Sequence, residues 1–206
     1  MTASQIITRT PASTHNYTKG RGGKRVRYVV IHVQDGTQAG SIAWFQNPNS
    51  NVSAHYLISM QGDVVQMVDE ADSAWHAGNW DVNQTSIGIE HEGQPSKGPW
   101  TPTRPQLQAS AELVADICKR YNLTPDAQTI ISHSSINPLH RCPGPTWPWL
   151  AYLSAVQAKV MPPPGHTPGT GKQTLRLFDP ATNKQVGTVS LVLGTDKCYL
   201  VPALQP

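Results

Sequence analysis

The run RYVVIHV, residues 27 to 33, constrains the fold more than any other stretch of the chain. It is almost wholly apolar and β-branched, without the polar alternation of a strand that shows one face to water. It therefore reads as a strand covered on both faces, which places it at the centre of a layered sheet. Around it, AHYLISMQGDVVQMV (54 to 68) reads as two strands joined through a turn near Gln61 and Gly62, and SIGIEHE (86 to 92) as a further strand. SIAWFQN (41 to 47) suits a short helix stopped by Pro48. From about Thr103 to Tyr121, the residues Leu107, Ala111, Val114, Ile117, Cys118 and Tyr121 recur at helical steps and form one apolar face. Thr103 followed by Gln106 fits a capping box, with Pro105 tolerated in the first turn. QTIIS (128 to 132) is a short strand that delivers the chain to His133, and WPWLAYLSAVQAKV (147 to 160) is a second helix. The expected class is α/β: a single mixed β-sheet flanked by helices.

Residues 1 to 25 read as an extended polar lead-in, and residues 26 to 160 as the main domain. MPPPGHTPGTGK (161 to 172) is a Pro/Gly-rich linker, and residues 173 to 206 suggest a short β-rich C-terminal appendage. A chain of 206 residues buries a core without help from disulfides or metals. Its balance of 16 Lys and Arg against 13 Asp and Glu, with no basic run, gives no reason to expect a nucleic-acid partner. No apolar stretch has the length of a membrane span or a signal peptide, so a soluble monomer is expected, with any export by a route the sequence does not display. The three widely spaced cysteines, Cys118, Cys142 and Cys198, argue against a disulfide framework and leave Cys142 available as a thiolate.

His32 closes the central strand just before Gln34, Asp35 and Gly36, and His133 closes another apolar strand. Strand ends are where sites gather in such sheets. Cys142 follows His133 within HSSINPLHRCPGP, a proline-rich loop. Two imidazoles and a thiolate make a three-ligand zinc set with an open fourth position, the arrangement of a catalytic ion. The spacing matches no zinc finger, so a buried thiol with two structural histidines is the alternative. His140 competes with Cys142 for the third place. If the segment is extended, residues two apart project to the same side, and His140 would sit beside an ion held by Cys142 and donate to an oxyanion. Glu90 is an acid among apolar neighbours, either a solvated strand-end carboxylate or a partly buried general base with a raised pKa. Glu92 lies nearer the loop and is the weaker candidate. In WHAGNW (75 to 80), Trp75 and His76 either pack or line a groove that meets sugar or peptide.

Taken together, YVVIHVQDG, NVSAHYLIS, WHAGNW, SIGIEHEG and HSSINPLHRCPGP occur in the order shown by the zinc N-acetylmuramoyl-L-alanine amidases of type 2. That family includes phage amidase endolysins, bacterial muropeptide amidases and animal peptidoglycan recognition proteins, and the resemblance covers about residues 25 to 155. It implies one zinc ion held by His32, His133 and Cys142, with Glu90 as the catalytic carboxylate and His140 steadying the tetrahedral intermediate. Trp75, His76 and His55 are the candidates for substrate contact. Many phage members carry a catalytic Tyr at a position matching Ala54 here, so that role does not transfer, and Tyr56 in the same strand reads as core. The implied reaction is hydrolysis of the amide between N-acetylmuramic acid and L-alanine, on peptidoglycan or muropeptides, at the cell wall after secretion or release at lysis. Non-catalytic peptidoglycan binding and a zinc peptidase acting within the stem peptide are the rivals.

Overall fold

The structure is a computed structural model that describes residues 7 to 160 throughout, together with the backbone of three later strands. The chain divides into two compact units, Met1–Met161 and Pro162–Pro206. In the second, β9 (Lys172–Phe178), β10 (Gln185–Leu193) and β11 (Cys198–Pro202) form an antiparallel sheet in the order β11-β10-β9. Residues 161 to 171, which hold nearly all of the Pro/Gly-rich stretch, lie outside the described residues.

The first unit is built on a six-stranded sheet in which the apolar run is central, as its composition requires. The strands are β1 (Ile7–Arg9), β3 (Tyr28–Val33), β4 (Tyr56–Ile58), β5 (Val64–Gln66), β7 (Ser86–His91) and β8 (Ile130–Ser132), in the order β1-β5-β4-β7-β3-β8. β4 and β5 pair antiparallel around Gly62, and the other neighbours pair parallel, so the sheet is mixed. Alternation along β3 sends Val29 and Ile31 to one face and His32 to the other. The first face packs on α3 (Arg104–Tyr121) and α5 (Trp149–Val160) through Leu113, Val114, Ile117, Tyr152 and Val156. The second face packs Leu57, Val65 and Met67 against Phe45 of α1 (Gln38–Gln46).

Helix α3 starts where the Thr103 hydroxyl accepts from the Gln106 backbone N–H at 3.3 Å, but the reciprocal half of the capping box is absent. The Gln106 side chain is fully buried, and its amide donates at 3.0 Å to the carbonyls of both Ile58 and Glu92. It ties the helix to two strands instead of closing its own cap. The N-terminal segment also departs from a loose lead-in. β1 joins the sheet edge, and β2 (Tyr17–Thr18) pairs with β6 (Ser73–Ala74). Arg21 is buried, giving its guanidinium to the carbonyls of Glu70, Gln84 and Ser86. Polar composition suggested solvent, whereas these side chains satisfy backbone carbonyls inside the fold.

Candidate metal centre and active-site cleft

Parallel register sets the first two functional side chains side by side. His32 of β3 pairs with Glu90 of β7, so both project from the same face near the C-terminal ends of their strands. His32 Nδ1 lies 3.8 Å from Glu90 Oε1. Ile31 pairs with Ser132 of β8, which brings the next residue, His133, to the same edge, and the His32 and His133 ring centroids are 4.7 Å apart. Ser132 caps the short α4 (His133–Ile136) by accepting from the Ser135 N–H. The proline-rich loop then returns, because the Ser134 N–H donates to the Cys142 carbonyl at 3.0 Å. The Cys142 sulfur thereby reaches the end of β3, where the Val33 N–H points at it from 3.0 Å.

One ligand atom from each of His32, His133 and Cys142 lies within 4.8 Å of the others, close enough for one ion to meet all three. The electrostatics favour a cation. Burial and the neighbouring imidazoles hold His32 far below the usual histidine range, so it stays neutral with a lone pair to offer. Burial and the His140 ring lower His133 as well. Burial, with Glu90 and Asp35 nearby, pushes the Cys142 thiol up, against the opposing pull of the Val33 N–H. Such a thiol ionises only beside positive charge. His133 Nε2 and Glu90 Oε2 are both buried without a hydrogen-bond partner among the described residues. Buried polar atoms are seldom left unmet, and a cation at this point would give both a partner.

Glu90 keeps 15% exposure, and burial pushes its carboxyl up to about 8. It opens on a cleft of about 370 Å³ that also includes Gln34, Ser41, Trp44, Trp75 and His76. The exposed His140 ring stacks on His133, with centroids 4.5 Å apart and planes 15° from parallel. It stands over a candidate ligand without replacing Cys142. Glu92 is occupied elsewhere, accepting from the backbone N–H groups of Gln38 and Met60.

Residues 22–145 match the family described as N-acetylmuramoyl-L-alanine amidase. Over 166 residues the chain is 36% identical to N-acetylmuramoyl-L-alanine amidase A of Achromobacter lyticus, a match spanning 71% of this chain and 90% of that protein. The chain belongs to the N-acetylmuramoyl-L-alanine amidase family. The crystal structure of AmpD superposes with a TM-score of 0.62 at 27% identity, covering 73% of this chain and 94% of that one. AmiD of Escherichia coli, solved with anhydro-N-acetylmuramic acid-L-Ala-D-gamma-Glu-L-Lys, gives a TM-score of 0.56 at 29% identity, covering 63% of this chain and 57% of that one.

Three histidines of this amidase sit differently from what their loops and strands suggested. His55, expected to meet substrate, is fully buried. Its Nδ1 accepts from the Gly88 N–H, and its Nε2 faces the Asp72 carbonyl at 3.2 Å. Burial and the Arg21 charge push it down to about 3, so it is a neutral internal strut. His76 reaches the cleft wall, but its ring nitrogens are spent on His32 and Ser86. Trp75 lines the cleft and anchors its indole N–H on the Thr18 hydroxyl at 3.0 Å. His91, to which sequence reasoning gave no role, donates from Nδ1 to the His32 carbonyl at 2.8 Å. Its Nε2 lies 2.8 Å from the Ser110 hydroxyl, which lies 2.7 Å from the Tyr152 hydroxyl. His91 sat two residues along from Ile89 on the core face, a placement that gave no sign of a hydrogen bond to a strand neighbour.

Proposed function

We propose that this amidase uses one zinc ion, held by His32, His133 and Cys142, to hydrolyse the amide joining N-acetylmuramic acid to the L-alanine of a peptidoglycan stem peptide. The observation that carries the reading is the convergence of two neutral imidazoles and one thiol beside Glu90, whose Oε2 is buried without a hydrogen-bond partner among the described residues and whose side chain lines an open cleft. When bound, zinc supplies Lewis-acid polarisation of the scissile carbonyl and lowers the pKa of water to about 7.

The protein's own groups handle the protons. In its ionised form Glu90 takes the proton of the attacking water at Oε2, the oxygen without a partner, and a carboxyl raised to about 8 is a strong enough base to hold it. It then delivers that proton to the alanine nitrogen as the C–N bond breaks, leaving a carboxylate on the lactyl group and a free amine on the peptide. His140 donates a hydrogen bond to the carbonyl oxygen as negative charge develops there. Trp44 and Trp75 present aromatic surface to the substrate in the cleft.

Product analysis on purified peptidoglycan and on soluble muropeptides tests this reading. New N-terminal alanine is expected without new reducing ends, and chelation is expected to stop its release. New reducing ends would mean glycosidase action, new termini at other stem residues a peptidase, and binding without release a recognition protein. The relative rates on polymer and fragment separate a lytic role at the cell wall from a recycling one.

A further inference from the structure

We propose that His76 and Ser86 are positioning residues that determine which ring nitrogen His32 presents to the cation. The inference deepens the assignment of His32 as a metal ligand, and it follows from the directions in which four groups can donate. Ser86 follows α2 (Trp80–Thr85), and its hydroxyl lies 2.6 Å from the Val82 carbonyl. A carbonyl only accepts, so the single hydroxyl proton of Ser86 is committed there. Val82 lies in the last turn of its helix, and its carbonyl is also reached by the Thr85 hydroxyl, at 3.5 Å.

Each further step is then forced. His76 Nε2 lies 3.1 Å from the Ser86 oxygen, which has no proton left to give, so that nitrogen carries the hydrogen and donates. The His76 ring is buried against the His32 and His55 rings with no carboxylate hydrogen-bonded to it among the described residues, so it carries a single ring proton. Its Nδ1 therefore accepts, and the group 3.0 Å away is Nε2 of His32. His32 must carry its proton on Nε2, which leaves the lone pair on Nδ1, the nitrogen that faces Glu90. A carbonyl in the last turn of a helix thus sets the tautomer of a residue on the central strand.

Gly88 makes the arrangement possible. It lies on β7 two residues before Glu90, and the His76 ring crosses directly over it. A Cβ there would stand 2.5 Å from His76 Cγ and 2.7 Å from Nδ1, closer than such atoms approach. The ring is held in place from below by a missing side chain and from both ends by hydrogen bonds. Its backbone is fixed as well, since the Asn83 side chain accepts from the N–H groups of His76 and Ala77.

Nitrogen-15 NMR of the histidine rings in the metal-free full chain reads the tautomers directly. His32 and His76 are both expected to be protonated on Nε2; a proton on Nδ1 of either ring overturns the proposal. This readout needs neither zinc nor activity, so it stands apart from the amidase reading. Zinc affinity by chelator competition supplies the second arm. His76→Phe and Ser86→Ala are expected to bind zinc about 10- to 100-fold more weakly. His76→Gln, whose amide can accept from His32 and donate to Ser86, is expected to recover most of the loss. Equal affinity in His76→Phe and the parent, or a Gln variant no better than Phe, would mean that the ring merely packs.

Discussion

At the scale of single residues, the site sets a carboxyl that takes up and returns a proton beside a thiol that must lose one. Glu90→Gln keeps the shape of the side chain and removes its proton traffic. Turnover is expected to fall by about 10²- to 10⁴-fold while bound zinc, measured by elemental analysis, stays at one ion per chain. Cys142 carries the opposite requirement, because burial keeps its thiol protonated until a cation arrives. Zinc uptake is therefore expected to release at least one proton, and its affinity to weaken about tenfold or more for each unit of falling pH across neutrality. Competition titrations at two pH values would show this, and a pH-independent affinity would place the metal elsewhere. His32, His133 and Glu90 stood out as candidates in the sequence because each lies on or just after a strand that its own apolar run predicts, and Cys142 because the family resemblance implied it. The role of His76 was not legible there, since it is written in two partners, Ser86 and His32, and in the absence of a side chain at Gly88.

At the scale of elements, register brings the site together. The pairing of His32 with Glu90 across β3 and β7 was implied by neither strand alone, because strand order and register are settled by the whole sheet. Helix α3 shows the same limit. Its apolar face could be counted from the sequence, and Ala111, Val114, Ile117 and Cys118 are indeed buried. The purpose of Gln106 could not, because its acceptors, the carbonyls of Ile58 and Glu92, belong to strands far away in sequence. Gln106→Leu fills the space but takes the Gln106 donor from both carbonyls, leaving Ile58 with the Glu92 N–H alone and Glu92 without the amide that met it. It is expected to lower the free energy of unfolding by about 1 to 3 kcal/mol in urea titration, at a fully buried site where water cannot substitute. A change within the error of the titration would show that these two hydrogen bonds are dispensable.

At the scale of the molecule, the first unit encloses several histidines in their neutral form, and that choice governs its response to acid. His55 and His91 lie inside the fold and are not themselves proposed ligands, and burial holds them to about 3 and about 4. In the unfolded chain both titrate near the ordinary histidine value of about 6.5. Between those limits the unfolded chain binds protons that the folded one refuses. Their contribution is complete above about pH 6.5 and is lost as pH falls, by more than about 1 kcal/mol per unit for each group. Metal-free protein is expected to show urea midpoints that decline steadily from pH 7 to pH 4.5, and a flat profile would mean that these rings admit protons in the fold. The central claim is that a single cation is held by two imidazoles and one thiolate. The most direct measurement is the absorption spectrum of the cobalt-substituted chain. A near-ultraviolet thiolate-to-cobalt band with tetrahedral visible bands is predicted for the parent and for Glu90→Gln, and the ultraviolet band should vanish in Cys142→Ser. A parent without that band, or a band that survives in Cys142→Ser, would contradict the account.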